Sequence, residues 1–389
     1  MNPKIVSITI LLICLCSASA CNFSGSQAGA DVDNPVVSQQ PTTAPTEPMA
    51  LPSPPDTTKA PEPTGEPQPA VVEPIAIGMD NVHRLTLQSS FSTEDEKAIS
   101  SLALSKDGRF IAYTYWHDPE KVIRLFDLTT ETTLPPLLFH KRDVTSVAFS
   151  PDGDLLAAGS QDGSVSLWRV GDWELAETFF TLKDGISSLA FSPNGAFLAL
   201  GGYKNHLALW SFEDAALQPL FFGTGPHVTD RVMFTQDGSV IYADTSYADV
   251  TAWSVATGEQ VQSIRGEACI GSFDLSSADT RLAYSSSCSA AQEPHDPLAV
   301  IAVRDVSSGE ALMYGSMAET STVLYFTEDD ALILTNSDGT VRFWDALDGS
   351  LHYLLPKTAR YVEFILSEDG STLILGEADG DILIYGLEP

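Results

Sequence analysis

From Ile99 to the C-terminus, apolar residues alternate with small or polar ones in short runs, as in Val144, Ser146 and Ala148 against Thr145, Val147 and Phe149. Asp-Gly or Asn-Gly pairs bound these runs: Asp152-Gly153, Asn194-Gly195, Asp237-Gly238 and Asp369-Gly370, and again Asp162-Gly163, Asp338-Gly339 and Asp379-Gly380. Period-two patterning between such pairs predicts β-hairpins, with glycine supplying the positive φ that a Cβ resists. No helical period is sustained in this stretch, so the domain is expected to be all-β. The pattern also repeats. The phrase VTSVAFSPDGDLLAAGSQDGSVSLWRV opens at Val144 and returns as ISSLAFSPNGAFLALGGYKNHLALWSF from Ile186, with further copies from Ile99, Val228, Ile270, Ser321 and Tyr361. The Ser/Thr before each first turn marks the copies: Ser105, Ser150, Ser192, Thr235, Ser276, Thr327 and Ser367, separated by 45, 42, 43, 41, 51 and 40 residues.

Most copies carry an aromatic at the end of the third strand: Phe126, Trp168, Trp210, Trp253, Trp344 and Tyr385. The dipeptide Trp344-Asp345 occurs once, with Phe126-Asp127 a near form. Four short strands in a unit of about 40–45 residues resemble the WD40 repeat, over residues 83–389. The resemblance implies a seven-bladed β-propeller. It also implies a hydrogen-bonded tetrad of His, Ser/Thr, Asp and Trp, whose positions His140, Ser160, Asp162 and Trp168 match in the second blade. The third blade departs from it, with Lys204 where the Asp belongs. The last copy ends one strand short, and the strand-like Val82–Ser92 has no other partner. It is therefore expected to pair as the outer strand of the final blade and close the ring.

Ahead of the repeats, Lys4, an apolar run over 5–15 and Ala18-Ser19-Ala20 before Cys21 read as a signal peptide over residues 1–20. Two cuts fit: ordinary signal peptidase at Ala-x-Ala, giving a secreted protein, or a lipoprotein box that makes Cys21 the lipid-bearing N-terminus. Ala18 favours the first, because Leu is usual there. The following segment favours the second. Residues 22–80 hold 12 of the 24 prolines and no aromatic after Phe23. Such a segment cannot bury a core, so 21–80 is expected to be a disordered Pro-rich linker before an 81–389 propeller. It would reach roughly 40 Å as a flexible coil and about 180 Å as polyproline II. A long tether directly after a cysteine suits a domain anchored by lipid to the cell membrane and facing away from the cytoplasm.

The chain carries a net charge of −32. Residues 81–389 hold 44 acidic and 18 basic residues, a net of −26. That field repels phosphate backbones and anionic headgroups, which argues against nucleic acid and against membrane contact other than through the lipid. Beyond Cys21, the exported part holds only Cys269 and Cys288. Hairpin register sets them nearly opposite each other on adjacent strands, so a disulfide is expected in an oxidising compartment, with two buried thiols as the other reading.

Catalytic motifs such as HExxH, GxSxG, a Walker loop or CxxC do not occur. The acid-rich Glu377–Asp381 lacks EF-hand spacing and reads as a turn. No enzyme activity, cofactor or metal is expected. In WD40-like folds one face gathers the loops before the first strand and between the second and third. On that face this sequence varies most, with insertions at 115–121 and 289–297. The candidate ligand-binding residues are Trp116, His117, Asp118, Tyr203, Lys204, His206, Tyr247, His295 and Asp296. Aromatic groups beside polar ones suit a protein partner, and surface insertions that carry nothing are equally cheap. The expectation is a protein-binding scaffold, with an envelope carbohydrate- or ion-binding module as the alternative.

Overall fold

The computed structural model describes residues 75–93, 97–180, 182–222, 227–244, 249–266, 270–286, 299–317, 323–337, 339–355 and 361–388. They form seven four-stranded antiparallel sheets. The blades span 99–138, 144–180, 186–222, 232–265, 270–317 and 323–354, and the seventh joins 361–387 to Leu85–Phe91. Strands are lettered a to d from the first to the fourth in each blade. Strand a of each described blade lies innermost, and strand a of blade one also meets that of blade seven. This is the seven-bladed propeller that the repeat implied.

The recurring Ser/Thr now has a physical role. In blade two Ser150 Oγ donates to the Asp152 carboxylate at 2.5 Å and accepts the backbone N–H of Leu155 at 2.9 Å. Ser105, Thr235, Thr327 and Ser367 do the same with Asp107, Asp237, Asp329 and Asp369, and Ser192 with Asn194. One hydroxyl thus satisfies the first a–b turn and pins the start of strand b.

Strands b and c are buried on both faces. Leu156, Ala157, Ala158, Val165, Leu198, Ala199 and Leu200 are all fully buried, because each sheet is covered by a neighbour on either side. Strand d is mostly exposed. Inner strands are also tied across blades. Ser101 Oγ accepts the Val147 N–H at 3.1 Å, Ser146 that of Leu189 at 3.2 Å, and Ser188 that of Val232 at 3.2 Å.

Ring closure follows the expected route. Leu85–Phe91 pairs with Ile382–Leu387 from Leu85↔Leu387 to Phe91↔Ile382, with a bulge between Leu87 and Ser89, while Val82–Arg84 forms a single 3-10 turn. The ring begins before the boundary expected at residue 81. Ile77 is fully buried among Val82, Leu85, Leu332, Leu373 and Leu375, and its N–H donates to the Gly370 carbonyl at 2.8 Å. The Asn81 side chain holds this entry, accepting from Gly78 N–H and donating to the Ala76 carbonyl, both at 2.8 Å. Cys21 and the segment before residue 75 lie outside the described residues, as do Cys269 and Cys288. The ladder beside the two cysteines ends on the pair Ile270↔Ser286.

Ile77→Ala should cost about 2–4 kcal/mol by the cavity it leaves. A chain starting at Ile99 should melt at least 10 °C below one starting at Ile75, because it exposes the edge of Ile382–Leu387 and uncovers Leu373 and Leu375. Thermal unfolding followed by circular dichroism checks both, and equal midpoints would mean that the N-terminal strand does not hold the ring.

Candidate functional site

In blade two, His140 lies 9 % exposed in the d–a loop between two hydroxyls. Its Nδ1 is 3.0 Å from Ser164 Oγ and its Nε2 2.8 Å from Ser166 Oγ. Ser164 Oγ donates to the Asp162 carboxylate, so it can only accept from Nδ1–H. Nε2 then accepts the Ser166 hydroxyl, which in turn receives the Trp168 Nε1–H at 2.9 Å. Every member is satisfied with a neutral imidazole, and burial lowers the His140 pKa despite Asp162 nearby. Asp162 also accepts the Lys141 N–H at 2.7 Å, tying the b–c turn to the d–a loop. Gly163, at φ 83°, lets the same turn also approach the d–a loop that follows blade two, since a Cβ there would strike the Leu182 carbonyl.

The candidate face residues of blades one to three fall in one connected sector. His117 Nδ1 lies 3.7 Å from Asp143, whose carbonyl accepts the Gln161 N–H at 3.0 Å. Gln161 Nε2 donates to the Tyr203 hydroxyl at 3.3 Å. Lys204 Nζ reaches Asp184 at 2.6 Å, and His206 Nδ1 stands 3.9 Å from the same carboxylate. Lys204 and Asn205 both adopt left-handed backbone, at φ 62° and 61°, turning the hairpin without glycine. Trp116 is 48 % exposed, and His117 presents most of its ring to solvent. Asp118 does not belong to this face. It is 3 % exposed, pairs with Arg124 at 2.5 Å and accepts the Glu120 N–H at 3.1 Å, while Arg124 stacks on Tyr115. A buried carboxylate must be paired, and a strand c arginine six residues on supplies the partner. Tyr247, His295 and Asp296 lie outside the described residues.

A second polar cluster, which the repeat pattern did not reveal, fills the centre of the ring. At the two inward positions of strand a, blades one to three carry Ser101/Ala103, Ser146/Ala148 and Ser188/Ala190. Blades four to seven carry Arg231/Met233, Ser272/Asp274, Val323/Tyr325 and Glu363/Ile365. Arg231 pairs with Asp274 of the next blade at 3.4 Å and stacks over Tyr325 two blades round, 4.3 Å from its ring. Asp274 accepts the Phe326 N–H at 2.8 Å, an inter-blade bond like that of the serines but two residues further along strand a. Burial pushes the Asp274 carboxyl up to about 6, against the pull of Arg231, and the Glu363 carboxyl up to about 7. In blade four, burial and then the neighbouring Asp230 raise Asp244 well above the usual carboxylate range. A cavity of about 260 Å³ opens between Met233, Asp274, Asp330 and Glu368. Separately, carboxylate oxygens of Glu377, Asp379 and Asp381 lie within 4.8 Å of one another in the last b–c turn.

The chain's relatives agree with this geometry. The family described as "WD domain, G-beta repeat" matches residues 132–169, 176–211 and 317–345. Each of the first two matches takes strand d of one blade with strands a to c of the next. The chain carries WD40 repeats within its seven-bladed propeller. It is 34 % identical over 77 residues to the fission yeast Schizosaccharomyces pombe target of rapamycin complex subunit wat1, covering 19 % of this chain and 23 % of the relative. It is 31 % identical over 107 residues to WD repeat-containing protein 1 of Xenopus tropicalis, covering 25 % and 17 %. It is 26 % identical over 234 residues to periodic tryptophan protein 2 of Arabidopsis thaliana, covering 59 % and 25 %. The matched part spans a quarter or less of the length of these relatives.

The WD40 tetrad takes an altered form here. Ser160 matches the tetrad's Ser/Thr position by spacing, but Ser166 is the hydroxyl between His140 and Trp168. Register explains the correction. Leu156 faces Trp168 and Ala158 faces Ser166, whereas Ser160, paired with Val144 at the end of strand b, lies too far along. Ser160 instead donates to the Arg142 carbonyl and accepts the Asp162 N–H. The hydroxyl has crossed the ladder from the Ala158 position to strand c. In blade six it stays on strand b, where Thr335 Oγ1 accepts the Trp344 Nε1–H at 2.8 Å. In blade three neither position has one: Leu200 faces Ala208, and the buried Trp210 Nε1 has no partner.

Ser166→Ala should therefore cost about 1–3 kcal/mol, leaving two buried nitrogens unpaired, whereas Ala208→Ser should stabilise by about 1 kcal/mol through Trp210. Urea unfolding of each variant measures these; an unchanged midpoint for both would overturn the assignment. The central carboxyls bind protons more tightly folded than unfolded, so their contribution is present at acidic pH and lost as pH rises through about 6 to 7. The lowered His140 and His227 act oppositely, their contribution fading as pH falls below 6.5. Glu363→Gln should remove several degrees of the melting-temperature drop between pH 5.5 and pH 8, and an unchanged pH slope would show that Glu363 does not titrate in the ring.

Proposed function

We propose that this protein is a non-catalytic protein-binding scaffold, held outside the cell membrane by a lipid on Cys21 and a Pro-rich tether. WD40 propellers are typically protein-interaction scaffolds, and a relative named as a complex subunit fits that role. The observation that carries the reading is the sector from Trp116 to His206. Its backbone is locked by hydrogen bonds between successive loops, while Trp116, His117 and Lys204 stand outward. Preorganised loops lose little entropy on binding, and half-exposed aromatic side chains supply the apolar area that anchors an interface. The anchor rests on the sequence: small residues directly before Cys21, then residues 22–80 with 12 prolines and no aromatic after Phe23. A single acyl chain holds a protein only marginally, so two or more are required.

Two measurements test this. Cys21→Ser should abolish labelling by an alkyne fatty acid and move the protein from the membrane fraction to the soluble one; labelling of the variant would exclude the anchor. Full-length protein used as bait should retain a specific envelope protein. Trp116→Ala, His117→Ala and Lys204→Ala together should weaken that capture at least tenfold. Retention of glycan alone would turn the reading to carbohydrate binding.

A further inference from the structure

The a–b turns of blades four to seven, 235–239, 276–280, 327–331 and 367–371, hold seven acids and no Lys, Arg or His. All four turns are among the described residues, and each contributes to the cavity of about 260 Å³. Two bases reach this region and both are occupied: Arg231 pairs with Asp274 at 3.4 Å and Arg281 with Asp330 at 3.6 Å. Asp237, Asp329 and Asp369 are bonded to the Ser/Thr of their own turns. Glu328 and Glu368 have no such duty. The residue after the anchoring Ser/Thr is Lys106, Pro151, Pro193, Gln236 and Ser277 in blades one to five, so the turn does not require an acid there. Both glutamates are exposed at the edge of the cavity, and among the described residues neither side chain has a hydrogen bond or an ion pair. Burial, and then the carboxylates of Asp237 and Asp330, push the Asp279 carboxyl up, so the acids of these turns repel one another and are not balanced. Below the rim the cavity wall is apolar, formed by Met233, Phe326 and Leu366.

We propose that this cavity takes a basic polypeptide segment of a partner, whose lysine or arginine head groups meet Glu328 and Glu368 while their carbon stems lie on Met233, Phe326 and Leu366. Long basic side chains cover apolar surface with their stems and keep the charge at its edge, which matches two free carboxylates on a rim above an apolar wall. Charge complementarity sets the sign of the occupant. The protein's own N-terminal segment is a poor match, although the chain enters beside the cavity, where the Ile77 N–H donates to the Gly370 carbonyl at 2.8 Å. Residues 22–74 hold seven acids and one base, Lys59. A metal ion needs several oxygens at about 2.4 Å. No three of the described acids of this cavity come within 4.8 Å of one another, as Glu377, Asp379 and Asp381 do elsewhere. The a–b turns lie at the opposite end of the strands from the Trp116 sector, so this contact is separate from that one.

Fluorescence anisotropy with the full chain tests this, using three labelled twelve-residue probes. They are Gly-Lys-Gly-Ser-Arg-Ser repeated twice, the same peptide with Glu for its basic residues, and the same with diaminobutyrate for them, which keeps the charge on a shorter stem. The first should bind at least tenfold more tightly than the second and several-fold more tightly than the third, and should weaken between 50 and 300 mM NaCl. Glu328→Gln with Glu368→Gln should weaken it at least tenfold, and so should Gln236→Lys, which sets a competing cation in the mouth. Glu213→Gln with Glu259→Gln removes the same charge from exposed c–d turns and should leave binding unchanged; circular dichroism checks that each variant is folded. Equal weakening by the two glutamate pairs, insensitivity to Gln236→Lys, or equal binding of long and short stems would overturn the proposal. So would displacement of the probe by about 1 mM calcium at matched ionic strength, or tenfold tighter binding by Lys59→Ala, which would make the protein's own segment the occupant. Capture through the Trp116 sector is a separate readout. Its failure with probe binding intact leaves this site standing, and failure of the probe alone leaves the sector.

Discussion

Each sheet of this protein is apolar on both faces, and only a closed ring covers both. A four-stranded sheet alone would expose one side of Ala157, Leu156, Leu198 or Ile374, all fully buried. Closure is therefore the constraint on which the rest depends. It is met by a strand from the far end of the sequence, so the edge of Ile382–Leu387 is paired and the packing between blades seven and one is completed. Ile77 extends the closure a few residues further by filling the space between blades six and seven.

The period and the alternation of residues made the blades, the turns and the closing strand legible, because those features depend on contacts that repeat locally. Three details were not legible, each for a non-local reason. Ser160 matches the repeat by spacing, yet the hydroxyl beneath Trp168 depends on which strand supplies it, and Ala158 with Ser166 decided that across the ladder. Asp118 lies in an insertion that looked like display, but Arg124 draws it inside. The facing pair of charges at 118 and 124 was the available signal. Ile77 lies in the short apolar stretch Ile75–Met79 just after a Pro-rich segment, and its burial depends on Leu332, Leu373 and Leu375, which are distant in sequence.

The inner strands show how the ring tolerates charge. In blades one to three a serine hydroxyl meets the next blade's N–H, at little desolvation cost. Between blades five and six Asp274 makes a similar bond two residues further along, and Arg231 spans two blades to balance it. Such groups are expensive to bury and gain little net stability from pairing. They do fix the relative positions of blades four to six, since the Arg231 stack and the Asp274 bond need their partners in one arrangement. Perturbed carboxyls often mark reactive sites, but here the neighbours that perturb them also account for their place in the fold.

The charge on the two faces follows from turn chemistry. At the a–b turns Asp107, Asp152, Asp237 and Asp369 accept bonds from the preceding Ser/Thr and from backbone N–H groups, and the turns stand in water, so that face stays acidic. The b–c turns of blades one and two use aspartate in a similar way, but the d–a loops fold over them. Lys141 N–H and Ser164 cover Asp162, and Arg124 covers Asp118. In blade three the roles reverse: the d–a loop supplies Asp184 and the turn supplies Lys204. Acids consumed by local geometry leave the bases of the same loops outward. Those bases are offset by Asp143, Asp162 and Asp184 of the same loops, in a sector whose loops hydrogen-bond to one another.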